Sequence, residues 1–302
     1  MTVRLGYAMP PGPPPAQVGQ WMAHMDTIMD AVGEHLDSFW ITDHFQWGDA
    51  PTYEAWTLMT YLAARYPHMK VGTAVLGQSY RNPAMLAKMA ATLHMLSGGR
   101  LILGVGAGWK EDEYYAYDYP YPRAGIRLEQ LDDTLEIITR LWKEPGQVTY
   151  EGKHYSVTDA WCEPKPDPIP QIIVGGGGRK TTMLAARFAD GWNIPDSNID
   201  TYRERLAILH EHCATIGRDP ASIELSWFGR LAVGRTEAEA LAMSNGKWNK
   251  SNALVGTPEQ VIAQMREFTS LGVALFQVEV QKIEKKAVQS MIFDEIVPEL
   301  AK

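Results

Sequence analysis

SFWITDHF, residues 38–45, begins as an apolar run and ends on an acid, a histidine and an aromatic. A run without polar alternation reads as a strand covered on both faces, the habit of parallel sheets packed between helices. Charged and titratable groups are rare at the end of such a strand unless something there uses them. Asp43 and His44 therefore mark a functional end, although an acid that caps a loop beside a satisfied core histidine would look the same.

Comparable runs recur outward in both directions: VRLGYAM (3–9), KVGTAVL (70–76), RLILGVG (100–106), QIIVGG (171–176), GWNIP (191–195), IELSWFGRLAV (223–233) and VALFQVEV (273–280). Helical patterns separate them, which is the signature of βαβ units. Asn82-Pro83 precedes a stripe of Leu86, Met89, Ala90, Leu93 and Leu96, an N-cap with proline at the first helical position. Thr257-Pro258-Glu259-Gln260 predicts a capping box, and Leu128, Leu131, Leu135, Ile138 and Leu141 form another apolar stripe. About eight such units around one core favour an α/β fold of the (β/α)8 TIM barrel type over a doubly wound sheet, with reactive groups at the C-terminal strand ends. Residues 1–302 read as a single domain. Its one irregularity is residues 145–170, which predict a hairpin around Glu151-Gly152 followed by a proline-rich linker.

Composition narrows the partners. The chain carries 36 Asp and Glu against 28 Lys and Arg and has no basic run, so no nucleic-acid footprint is expected. Cys162 and Cys213 form no CxxC or zinc-like cluster, which fits a reducing, cytoplasmic setting. No apolar run is long enough to span a membrane. His210 and His212 lie two apart on a predicted helix and cannot chelate one metal from one face, so no metal is expected. No Ser or Cys stands in a nucleophile elbow.

Three segments carry possible chemistry. GVGAGWKEDEYYAYDYPYP follows the fourth strand with alternating glycines, but it lacks the dinucleotide-binding spacing. Its glycines permit close approach of the backbone to a flat ligand, or serve plain turn chemistry. GGGGRKTT, residues 175–182, opens onto a helix N-terminus and offers backbone N–H groups to an anion. Tyr114, Tyr115, Tyr117, Tyr119 and Tyr121 crowd one loop, which reads as a substrate lid, a packed loop or a subunit contact.

These motifs in this order, ITDHF, VGTAVL, RNPAMLAKMAATLHMLSGGRLILGVGAGW, RLEQLDDTLEIITRLW with YEGKHY, IIVGGGG through FADGWN, and LVGTPEQV, resemble the luciferase-like monooxygenase superfamily, and within it the oxidoreductases that use the deazaflavin coenzyme F420. The resemblance implies a (β/α)8 barrel holding a flavin-type ring at its mouth. It implies Asp43 and His44 beside the ring, with His44 the proton donor or oxyanion partner. It places a non-prolyl cis peptide at Ala74-Val75, cofactor contacts at Gly106 and Asp112, and the ribityl phosphate region at Gly175, Gly176, Gly177 and Gly178. Trp47, Trp109 and Ile194 are expected to line the substrate pocket. Trp109 departs from the similar sugar-phosphate dehydrogenases, which carry an acidic glutamate at the matching position. Glu111 or Glu113 supplies a carboxylate only if the loop folds back. The expected function is hydride transfer between F420 and a small organic substrate. The alternatives are an FMN-dependent monooxygenase served by a partner flavin reductase, and a flavin-binding barrel without catalysis. A homodimer is implied by the resemblance.

Overall fold

The computed structural model describes residues 3–13, 15–244 and 248–300, with the backbone alone at 15–17. Its strands are β1 (Arg4–Met9), β2 (Ser38–Ile41), β3 (Lys70–Thr73), β4 (Leu76–Gly77), β5 (Leu101–Gly106), β6 (Val148–Glu151), β7 (Ser156–Ala160), β8 (Gln171–Gly175), β9 (Gly191–Pro195), β10 (Glu224–Val233), β11 (Ala253–Gly256) and β12 (Val273–Val280). Parallel pairing runs β12-β1-β2-β3-β5-β8-β9-β10, and pairing of β10 with both β9 and β12 closes the ring. This is the (β/α)8 TIM barrel, and its eight ring strands coincide with the eight apolar runs. The short β11, not foreseen from the sequence, adds to the C-terminal half of β10 outside the ring. The β6–β7 hairpin is antiparallel and falls inside the expected interruption.

Trp40 fills the inside of the barrel. A Cβ at Gly6 would come within 2.3 Å of its Nε1, and one at Gly72 within 2.5 Å of its ring, so both neighbouring strands carry glycine to seat this indole. Its N–H donates to Ser38 Oγ at 2.8 Å. Ala8, Ile102, Ile173 and Leu275 pack around it. The opposite faces of the strands join a much larger core with the helices.

Those helices include α1 (Trp21–Val32), α2 (Ala55–Arg65), α3 (Pro83–Leu96), α4 (Glu111–Ala116), α5 (Ala124–Lys143), α6 (Arg179–Phe188), α7 (Ile199–Ile216), α8 (Glu237–Met243) and α9 (Pro258–Ser270). Asn82 Oδ1 caps α3 by accepting from the amides of Ala84 and Met85 at 3.0 and 3.2 Å. The capping box of α9 forms between Thr257 and Gln260 as predicted. Burying the face of α3 differs in detail: Leu96 is 83% exposed, while Ala87, Ala91 and His94 are buried beside Leu86, Ala90 and Leu93. The chain leaves the helix at Ser97 and turns back through Gly98 and Gly99, so the last position of the stripe has no neighbour above it.

Two expected strands stop early, both at the C-terminal face. Segment 38–45 is a strand only to Ile41, and 70–76 is interrupted after Thr73 by the cis peptide Ala74-Val75. Leaving the ladder there frees Asp43, His44 and Val75 for other contacts.

Candidate active site

All ring strands point their C-terminal ends to one face. That face holds a cavity of about 1320 Å³, whose lining includes the ends of β1, β2, β5, β8, β9 and β12. A pocket for one drug-sized ligand occupies roughly 300–1,000 Å³, so this one has room for a cofactor and a second molecule. A second cavity of about 960 Å³ opens at the strand starts. Its acids are already engaged: Asp190 accepts from the Ile172 amide at 2.9 Å, and Glu224 pairs with Arg4. The mouth is the better candidate.

At the mouth, α4 turns Glu113 and Tyr114 inward and leaves Glu111 and Asp112 outward. Glu113 is fully buried. Its Oε1 accepts from the amides of Phe45 and Gln46 at 2.9 and 3.0 Å, and its Oε2 lies 3.0 Å from His44 Nδ1. Burial alone would raise the carboxyl's pKa; the bonds from His44 and the Gln46 amide, with the charges of His44 and Lys110, outweigh it and hold the pKa below the ordinary carboxylate value. An ionised carboxylate only accepts, so the Nδ1 of His44 must carry the hydrogen, and Nε2 is the nitrogen left for a ligand. The loop does fold back, and Glu113 rather than Glu111 brings the carboxylate to His44.

Asp43 is also buried but is committed elsewhere. Arg81 grips both its oxygens at 2.8 and 3.1 Å, and the Gly77 amide donates to Oδ2 at 3.0 Å. Arg81 reaches on to Glu54 Oε1 at 2.6 Å, the residue that caps α2. Asp43 therefore ties the end of β2 to the turn after β4, and lines the cavity from that fixed position.

Val75 explains several glycines. Added Cβ atoms at Gly106 and Gly175 would stand 2.7 and 2.8 Å from its methyl groups, and one at Gly104 would stand 1.8 Å from the Thr73 carbonyl oxygen. The glycines of β5 thus make room for the chain's own backbone and for Val75. Ala74, Val75, Gly106, Gly175 and Gly176 line the cavity together. Gly177 and Gly178 lead away from it into α6, whose first amides have no side-chain cap. The stem of Arg205 lies against Gly177, and Arg205 has no ion-pair partner among the described residues. Of the cations flanking the loop in sequence, Arg179 is taken up by Glu211.

Two further expectations fall outside the lining. Asp112 points to solvent, paired with Lys110 and 3.5 Å from Gln46 Nε2, because it sits on the outer face of α4. Ile194 packs in the core behind the barrel, since alternation along β9 sends Asn193 and Pro195 to the cavity side and Ile194 to the helices. Trp47 and Trp109 do line it, edge-on to His44 with ring centroids 4.9 and 5.9 Å away. Part of the tyrosine segment is packed, with Tyr114 buried against Tyr80 and Tyr121 and Tyr119 stacked on Phe45, while Tyr115 and Tyr117 are 66% and 50% exposed.

Among the described residues no group of three or more His, Cys, Asp or Glu is placed to hold a metal, and no helix is long and apolar enough to cross a membrane.

A parallel barrel with an insertion hairpin, a histidine held by a buried acid at its mouth and a glycine loop opening onto a helix defines a class of ligand-binding barrels. The chain belongs to the luciferase-like monooxygenase family, whose description matches residues 34–250. It is 35% identical over 225 residues to an F420-dependent glucose-6-phosphate dehydrogenase of Kineococcus radiotolerans, covering 72% of this chain and 65% of that one. It is 29% identical to a phthiodiolone/phenolphthiodiolone dimycocerosates ketoreductase of Mycobacterium sp. strain JLS, over 65% of this chain and 57% of that one. The chain spans less than two thirds of the length of these curated relatives. Among solved structures, an F420-dependent secondary alcohol dehydrogenase in complex with an F420-acetone adduct superposes with a TM-score of 0.84 at 20% identity, over 100% of both chains. The monooxygenase RslO1 from Streptomyces bottropensis gives 0.82 at 19% identity, over 99% of this chain and 100% of that one. At these identities the likeness bears on the fold.

Proposed function

We propose that the protein is an oxidoreductase that binds the deazaflavin coenzyme F420 at the barrel mouth and moves one hydride between it and a small organic substrate. The observation that carries this reading is His44, buried at the cavity wall with Nδ1 held by ionised Glu113 and Nε2 left over.

The residues present suit such a cofactor. Ala74, Val75, Gly106 and Gly175 line the cavity together, a wall of small side chains against which a flat ring can lie. The amides at the start of α6, which have no side-chain cap, and Arg205, which has no ion-pair partner among the described residues, suit its phosphate region. Bound there, a deazaflavin supplies a carrier for one hydride, so a substrate carbon changes oxidation state by two electrons while its oxygen gains or loses the matching proton. His44 holds that proton at Nε2. Glu113 keeps the ring oriented and stabilises the imidazolium whenever the proton resides there. The names of the curated relatives favour F420 over FMN, and the relation to a ketoreductase favours a carbonyl–alcohol pair.

Parallel titration of the purified protein with F420 and with FMN tests the cofactor. Saturable F420 binding with much weaker FMN binding is expected; preferential FMN binding would replace this reading with the oxygen-activating one. His44→Ala tests the proton role: kcat should fall about 10²–10⁴-fold while F420 affinity is retained. An unchanged kcat would remove His44 from the chemistry.

A further inference from the structure

We propose that the substrate of this site is an uncharged carbonyl compound or secondary alcohol with an aromatic or alicyclic body, and that the site disfavours phosphorylated and other anionic molecules. The inference rests on the cofactor reading above and adds the class of the second ligand.

The position of His44 sets the surroundings of whatever it protonates. Trp47 and Trp109 stand edge-on to its ring, and the two indoles are 6.2 Å apart, again edge to face. A ligand oxygen bonded to Nε2 therefore brings its carbon skeleton against two indole surfaces. Trp47 and Trp109 are 44% and 65% exposed, although both line the cavity. Large exposed aromatics gathered in a concave site favour a ligand with apolar surface to cover them. A polyhydroxylated body would lose its water there without enough partners to replace it.

The charges of the lining point the same way. Its lysines and arginines are Lys110, Arg230 and Lys282, against five carboxylates: Asp43, Glu113, Asp196, Glu279 and Glu284. Lys110 lies over the Trp47 ring and is paired with Asp112. Arg230 Nη1 is 2.8 Å from both oxygens of Asp196, and Arg230 Nε is 3.8 Å from Glu279. Lys282 alone has no carboxylate partner among the described residues, and it is exposed at the rim with Glu284 two positions on. Asp43 and Glu113 are already met by Arg81 and His44, so a phosphate entering beside His44 would find a cation only by competing with an existing ion pair of Lys110 or Arg230. An uncharged ligand meets no such obstacle.

The experiment starts from protein loaded with F420. Acetophenone and, separately, glucose 6-phosphate are titrated at fixed ionic strength, following heat of binding and indole fluorescence. Acetophenone should bind and quench the indole emission, and its affinity should fall about tenfold, equivalent to about 1.4 kcal/mol, in Trp109→Ala. That side chain is largely exposed, so its removal leaves the fold intact. Glucose 6-phosphate should show no saturable binding at concentrations that saturate the site with acetophenone. Tighter binding of glucose 6-phosphate, or acetophenone affinity unchanged in both Trp109→Ala and Trp47→Ala, would overturn the substrate class and leave the cofactor reading standing. Failure of F420 to bind in the loading step would overturn the cofactor reading and this inference with it.

Discussion

The two sides of the barrel mouth hold their charges in different ways. On the β2 and α4 side, the side chains of Asp43 and Glu113 are fully buried, and each carboxylate has at least three donors aimed at it. On the β9, β10 and β12 side, Arg230 is shared between Asp196 and Glu279, and all three side chains remain 27–38% exposed. A fully buried carboxylate costs several kcal/mol unless its lone pairs are met. The first side is therefore stable only when completely assembled. The second is wet enough to exchange partners cheaply, which suits a wall that meets varied ligands, whereas the first suits a proton held at one position.

The most damaging way to break this contrast is Glu113→Ala. It strands the amides of Phe45 and Gln46 and leaves His44 without its acceptor, so a loss of about 3–5 kcal/mol is expected in denaturant unfolding, together with loss of turnover. Glu113→Gln sharpens the point. Its carbonyl can still accept from the two amides, so most stability should survive, but its NH₂ group favours the other His44 tautomer and kcat should fall steeply. Next in size is Arg81→Ala, which leaves Asp43 buried with only the Gly77 amide and removes the tether to Glu54. A cost of about 3 kcal/mol is expected. Arg81→Lys should restore only part of it, because one ammonium cannot reproduce the two-point grip. A loss below 1 kcal/mol in Arg81→Ala would show that this side is not the rigid one.

This contrast also shows how far the sequence could be read. The ring strands were legible because each is a continuous apolar run, and the mouth was legible because Asp43 and His44 end one of them. Glu113 was not. Three acids stand in a row at Glu111, Asp112 and Glu113, and only the turn of α4 decides which of them goes inside. The available signal was that three acids exceed what the start of a six-residue helix needs, with an aromatic run directly after them. The resemblance implies a cofactor contact at Asp112, but the outer face of α4 keeps that side chain out of the lining. The glycines at the ends of β5 and β8 show the opposite limit. Their need for space was evident, but what fills it, Val75 and the Thr73 carbonyl, lies about 30 and 100 residues away along the chain.

Acid gives a smaller and graded test. Because Glu113 has its pKa lowered in the folded protein, its contribution to stability is fully present above the ordinary carboxylate value of 4.5 and is lost as pH falls through the lowered folded value. Unfolding curves should therefore be insensitive to this group at neutral pH and weaken below about pH 4.5, and the Glu113→Gln variant should lose that part of the acid response. Glu279 behaves in the opposite sense: burial, aided by Asp196, raises its pKa while Arg230 opposes the rise. Removing Arg230 lets that pKa climb further, so Glu279 can take up a proton instead of remaining an unpaired charge. For that reason Arg230→Gln should cost no more than about 1 kcal/mol at neutral pH, the smallest effect of the set. If Arg230→Gln destabilised as much as Arg81→Ala, the two sides would be equally rigid, and the adjustable wall would have to be sought elsewhere on the rim.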